Sequence, residues 1–358
     1  MFFGDSKKPW SFYVLAFSVI LVASYVGNSF RQSFATEGTK DEYEMVKKYL
    51  LNDSPLYGYN KPKLWIHSKY EVNARQWKNF GSRNSTDLNQ PYLYLTIQSI
   101  INHCGNDFHI CLIDDETFGK LIPSWDIDVS TMADPMKSHF RDIGMLELVY
   151  YYGGLIVPNS FLCTRNLMEL YTNSTENGKT PFVVERPNRH VNNFKDNKSR
   201  LFAPDISMMG APKNDETVKE LIQYLKMANL SGQRHFSQEM DFYGQSGDWC
   251  LDAIRQNKMR YVGGETIGVK NNNKKPVLLE DLMEEKFLNI DMKTLFGIYI
   301  PSDELLRRPK YQWFSILSHE DILNSNLILA KFFKISMVDA TNEYHNEDLN
   351  KVMSVSAL

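Results

Sequence analysis

The run Arg141–Phe161, RDIGMLELVYYYGGLIVPNSF, restricts what this chain can fold into more than any other stretch. Ile143, Leu146, Val149 and Tyr150 fall at i, i+3, i+6 and i+7, which places one apolar face on a helix. Gly153-Gly154 then stops the helix where a left-handed cap is needed. Leu155-Ile156-Val157 suits a buried parallel strand, and Pro158, with no amide proton to give a ladder, ends it. A helix, a two-glycine turn and a buried strand make half of an α/β crossover. Ligands of open α/β sheets sit outside the carboxyl ends of the strands, so a site is expected beside Pro158-Asn159-Ser160.

The same run resembles sugar transferases of the capsular-polysaccharide-synthesis and DXD-containing sugar-binding type. These carry a helix of the form D-L-L-R-x-x-x-L-Y-x-Y-G-G, followed by a strand ending in D-x-D. The match falls at Asp142, Ile143, Leu146, Leu148, Tyr150, Tyr152 and the two glycines. Met145 stands where the family has Arg, with Arg141 one turn earlier on much the same face. Pro158-Asn159-Ser160 stands where the family has D-x-D. Weaker echoes are Lys61–His67, similar to the family's first strand, and Asp205–Lys213, similar to its strand before an A-P-K phrase.

The resemblance implies an α/β, GT-A-like (Rossmann-like) fold with a mostly parallel sheet flanked by helices. It implies a nucleotide-sugar donor and a glycan acceptor as partners, with Asp142, Asn159, Ser160, His67 and Arg141 around the donor. In the family the D-x-D carboxylates hold a divalent metal that bridges the nucleotide diphosphate. Hard cations require carboxylate oxygens, so neither Mn²⁺ nor Mg²⁺ is expected at Pro158–Ser160. Compensating cations are then needed near Asn159, and Arg75, Lys78, Arg141 and Arg186 are the candidates. The resemblance itself singles out no residue as catalytic. The alternative is a domain that kept the fold, lost the metal site and serves as a membrane-anchored structural or binding module, for example in a large virus particle.

Toward the N-terminus, Ser11–Gly27 carries no charge and, at about 17 residues, reaches the short end of a membrane span. Trp10, Tyr13, Tyr25 and Phe30 sit near its ends as interfacial aromatics do. An uncleaved anchor is favoured over a signal peptide, because Ser24–Gly27 makes a mediocre cleavage site. Lys7 and Lys8 favour a cytoplasmic tail over residues 1–10 and a lumenal domain of the endoplasmic reticulum or Golgi type. Residues 28–60 read as a stem, 61–340 as the transferase-like domain and 341–358 as a flexible tail. Five Asn-x-Ser/Thr triplets, at Asn52, Asn84, Asn173, Asn197 and Asn229, permit a lumenal domain without establishing one. The net charge of −3 argues against a nucleic-acid-binding surface.

Within the domain, Phe108–Ile113 reads as a strand leading into the acidic turn Asp114-Asp115-Glu116, whose charges suit the start of the next helix. Asp126-Ile127-Asp128 is a D-x-D string before the Arg141 helix, the wrong place for the family's metal. His103, Cys104, His109 and Cys111 match no zinc spacing, which leaves buried thiols or one disulfide. Ser237–Gly247 reads as a loop in which Glu239 and Asp241 are candidate bases. Leu278–Lys286 and His319–Phe333 read as amphipathic helices, with a basic-aromatic patch, Arg307, Arg308, Lys310 and Trp313, between them.

Overall fold

The computed structural model describes residues 61–67, 90–123, 125–133, 135–187, 203–230 and 238–337, all within one compact unit, Tyr49–Leu358. The 1–10 tail, the apolar run 11–27, the stem 28–60, Arg75, Lys78 and the 341–358 tail lie outside these residues. Among the described residues no helix is long and apolar enough to cross a membrane.

The Arg141 segment is organised as its pattern requires. Helix α3 (Met136–Tyr152) enters strand β3 (Gly154–Ile156) through Gly153. Ile143, Leu146 and Val149 are fully buried. β3 is parallel to β1 (Lys63–His67), which is parallel to β2 (His109–Ile113). On its other side β3 pairs antiparallel with β6 (Pro204–Ala211). β6 pairs antiparallel with β5 (Phe182–Glu185), and β5 lies parallel to β7 (Arg260–Val262). The order is β2-β1-β3-β6-β5-β7, with β6 alone reversed. This is a mixed α/β architecture with a mostly parallel central sheet flanked by helices, Rossmann-like in kind.

The helices bury at least two cores among the described residues. α3, α5 (Glu216–Leu230) and α6 (Gln238–Arg255) pack against one another and on β6. They enclose Trp65, Ile156, Met209 and Ala211 of the sheet with Leu146, Leu221 and Cys250. α1 (Tyr92–Cys104) lies across the short strand β4 (Phe161–Cys163), which pairs antiparallel with β8 (Gly297–Tyr299). Tyr92, Leu162 and Ile298 join Phe332 and Phe333 of the last described helix, Ile328–Met337, in the second core.

The two glycines are obligatory for different reasons. Gly153 has φ +71° and ψ −177°, so the stop is a positive-φ turn into extended chain, not the left-handed helical cap expected. Its amide still closes the helix on the Val149 carbonyl at 2.8 Å. Gly154 has φ +110°, and a Cβ there would sit 2.1 Å from the Lys63 carbonyl oxygen. Gly154→Ala is therefore expected to destabilise by at least about 3 kcal/mol in thermal denaturation. Gly178→Ala, at φ +81° with nothing within 4 Å of the new atom, should cost only about 1–2 kcal/mol. Equal losses at the two positions would refute the clash with β1.

Three expectations are corrected. Ser237–Gly247 is not a loop; α6 begins at Gln238 and runs through it. Phe242, Ser246, Cys250 and Ala253 form a buried stripe at helical spacing, and that burial outweighs the helix-weakening glycines at 244 and 247. Leu278–Lys286 is helical only over Leu279–Leu282. His319–Phe333 divides into His319–Asn324 and Ile328–Met337, with Ser325 extended between them.

Candidate functional site

A cleft with about 930 Å³ of empty space, the open solvent at its mouth included, lies at the carboxyl edge of the sheet. The chain leaves β1 toward β2 on one side and continues from β3 toward β6 on the other, so the cleft sits at the topological switch point. All five residues singled out from sequence line it. His67 ends β1, Arg141 and Asp142 project from α3, and Asn159 and Ser160 follow β3. Arg186 also lines it, where the chain leaves β5.

Arg141 does not face the cleft as an uncompensated charge. Its Nε and Nη2 donate to the two carboxylate oxygens of Asp115 at 2.7 and 2.6 Å. His67 Nε2 donates to the same carboxylate at 3.0 Å, with its ring stacked on Phe118. Burial would raise the Asp115 carboxyl, but the hydrogen bonds from Arg141 and His67 outweigh it and hold the group well below the usual carboxylate range. Asp115 thus joins the ends of β1 and β2 to α3 under the cleft. The acidic turn was expected only to open a helix, and Asp114 does that, its Oδ1 accepting from the Thr117 amide at 2.9 Å. Asp115 belongs to the site's foundation instead.

The rest of the lining includes residues that the sequence placed in a strand or a loop without assigning them to the site. Asp205 is 3% exposed; its Oδ1 accepts from the Ser207 amide at 3.0 Å and its Oδ2 from the Tyr299 hydroxyl at 3.1 Å. Ser302 and Asp303 join them at the exit from β8. Asp205 lies 94 residues from Tyr299, and only the sheet brings them together. The cleft therefore gathers basic groups, His67, Arg141 and Arg186, together with carboxylates and hydroxyls. Arg186 and Asp205 stand at the ends of neighbouring strands, Arg186 donating its amide to the Ala203 carbonyl.

Pro158-Asn159-Ser160 does not fit a divalent cation. Pro158 has no side-chain donor, Asn159 and Ser160 offer neutral oxygens, and Ser160 is 2% exposed. The backbone there is engaged as well: the Asn159 carbonyl accepts from Thr96 of α1 and the Ser160 carbonyl from the Ile300 amide. Among the described residues no group of three His, Cys, Asp or Glu is placed to hold a metal ion. Asp126 and Asp128 are exposed in the loop before α3, away from the cleft lining.

The remaining candidates are dispersed. All four cysteines are buried free thiols, with Cys104 and Cys163 facing each other at 3.9 Å between sulfurs. His103 bonds the Ser336 carbonyl instead of converging with them. Burial pushes the Cys111 thiol up to about 12, which leaves it unreactive. Glu239 and Asp241 fall on the first turn of α6. In the 307–313 patch, Arg308 is committed to Glu280 and Glu304.

Compared with models of known protein families the chain matches none, and among curated proteins it has no matching relative.

Proposed function

We propose that this chain carries a GT-A-like domain, built on a membrane anchor at residues 11–27, that binds a nucleotide sugar without a divalent metal and passes the sugar to a glycan acceptor. The observation that carries the reading is the convergence of His67, Arg141, Asp142, Asn159 and Ser160 in one cleft at the switch point. The lining offers groups suited to both ends of such a donor. A diphosphate suits guanidinium donors; sugar hydroxyls suit carboxylates such as Asp142 and Asp205. Transfer would break the bond between the sugar's anomeric carbon and the diphosphate oxygen, the electron pair leaving with the diphosphate. The acceptor oxygen would bond that carbon and pass its proton to a carboxylate of the lining, Asp142 or Asp303, or through it to water. Charge growing on the leaving group must be stabilised, and here arginine has to do it. Lumenal placement, with the N-terminus cytoplasmic, follows from Lys7 and Lys8 preceding the apolar run.

A second reading, a domain that binds without turning over, draws on the neutral donors at Pro158–Ser160 and on the pairing of Arg141 with Asp115. Titration of uridine and guanosine diphosphates into the full chain in detergent tests the shared premise. Binding that is unchanged by chelator is expected. Hydrolysis or transfer of the corresponding nucleotide sugar then separates enzyme from binding module. Binding that requires manganese would overturn the metal-free reading, and no binding of either diphosphate would overturn both.

A further inference from the structure

We infer that Arg186, laid on the ring of Tyr243, is the group that grips the phosphate charge of the cleft's ligand; this rests on the reading of the cleft as a nucleotide-sugar site. Among the described residues two arginines line the cleft, and their circumstances differ. Arg141 directs two of its nitrogens at a carboxylate that already balances its charge. Arg186 makes no ion pair with a carboxylate among the described residues; its guanidinium carbon sits 4.0 Å over the centroid of Tyr243. Stacking of this kind uses the flat face of the guanidinium and leaves its in-plane N–H donors available. Those donors match two oxygens of a phosphate.

The neighbouring acid is not a competitor. Glu185 is 5% exposed, forms an ion pair with Lys270 and accepts from the Gly264 amide at 2.9 Å. Strand alternation turns it away from residue 186. Asp205, the buried carboxylate on the paired strand β6, is occupied by the Ser207 amide and the Tyr299 hydroxyl. The backbone at Arg186 is fixed as well, its amide donating to the Ala203 carbonyl at 2.7 Å. A cation so held, on an aromatic shelf at the carboxyl edge of the sheet, supplies the charge that Pro158–Ser160 cannot bind through a metal.

The test titrates uridine diphosphate, guanosine diphosphate, their nucleosides and pyrophosphate into the full chain with chelator present. The wild type is expected to bind one diphosphate more tightly than its nucleoside. Arg186→Gln should weaken the diphosphate about 10- to 100-fold and leave the nucleoside unchanged. Arg186→Lys should recover part of the loss, and Tyr243→Leu should lose less than Arg186→Gln. Melting temperatures near that of the wild type exclude a folding defect. If the wild type binds neither diphosphate, the nucleotide-sugar reading fails and takes this inference with it. If the wild type binds and Arg186→Gln binds equally well, only the role of Arg186 is overturned. Pyrophosphate bound as tightly as the diphosphates, and lost in Arg186→Gln, would support Arg186 while overturning nucleotide selectivity.

Discussion

Asp115→Ala is expected to destabilise the fold by about 3–5 kcal/mol, because it removes the carboxylate to which two nitrogens of a buried guanidinium donate. Arg141 is 5% exposed and both carboxylate oxygens of Asp115 accept from it. His67 loses its partner in the same step. Asp114→Ala is the control one residue away. It removes only the turn that opens the Thr117–Leu121 helix and should cost about 1 kcal/mol. In the double variant Asp115→Ala/Arg141→Met the buried charge is gone as well, so much of the single-variant loss should return. The carboxyl is held below its ordinary value in the folded state. Its contribution is therefore complete above the unfolded value, about 3.9, and is lost as pH falls through the folded one. Denaturation of wild type and Asp115→Ala should accordingly converge as the pH is lowered below about 4. A loss under about 1 kcal/mol at pH 7 would show that the network is ornamental. A gap that persists undiminished in strong acid would show that the charge of the carboxylate is not what stabilises the fold.

The parts of the molecule that were legible in the sequence are those written into contiguous residues. The apolar stripe of α3, the two glycines and the run before Pro158 specify a crossover by local pattern alone. Because ligand position follows from sheet topology, the same run pointed to the cleft. His67 and Asn159, far apart in the chain, do line it together. What escaped was set by distant partners. Asp115 looks like any acidic helix start; its role depends on residues 26 and 48 positions away. β4 and β8 are three residues each, too short for alternation to register. Tyr299 reaches Asp205 only because β8 pairs with β4 beside the site. In α6 the glycines spoke for a loop, while the evenly spaced Phe242, Ser246 and Cys250 spoke for a helix; tertiary burial decided between them. Met145 illustrates the limit from the other side. It lines the cleft where the resembled family has Arg, so the position was legible and the chemistry was not.

Trp65→Ala should be among the most damaging single changes in the domain, at about 3–5 kcal/mol, for reasons that also locate the site. The side chain is fully buried in the first core, against Tyr152 at 5.8 Å between ring centroids. Its Nε1 donates to the Gly153 carbonyl at 3.0 Å, a buried bond. That bond holds the turn through which α3 becomes β3. On the same residue the backbone carbonyl accepts from the Val157 amide at 2.9 Å, carrying the β1–β3 ladder up to Pro158. Trp65 therefore sets both ends of the three-residue strand that delivers Asn159 to the cleft. Two substitutions separate its contributions. Alanine removes the ring and leaves a cavity in the sheet–helix core. Phenylalanine keeps an aromatic body but cannot donate, so the Gly153 carbonyl is left buried without its partner, at about 1–3 kcal/mol. Denaturant unfolding should rank wild type above Trp65→Phe and Trp65→Phe above Trp65→Ala, with unchanged m values. Trp65→Phe within about 0.5 kcal/mol of the wild type would mean that packing alone holds the turn. The indole would then have no part in aiming the residues that follow β3.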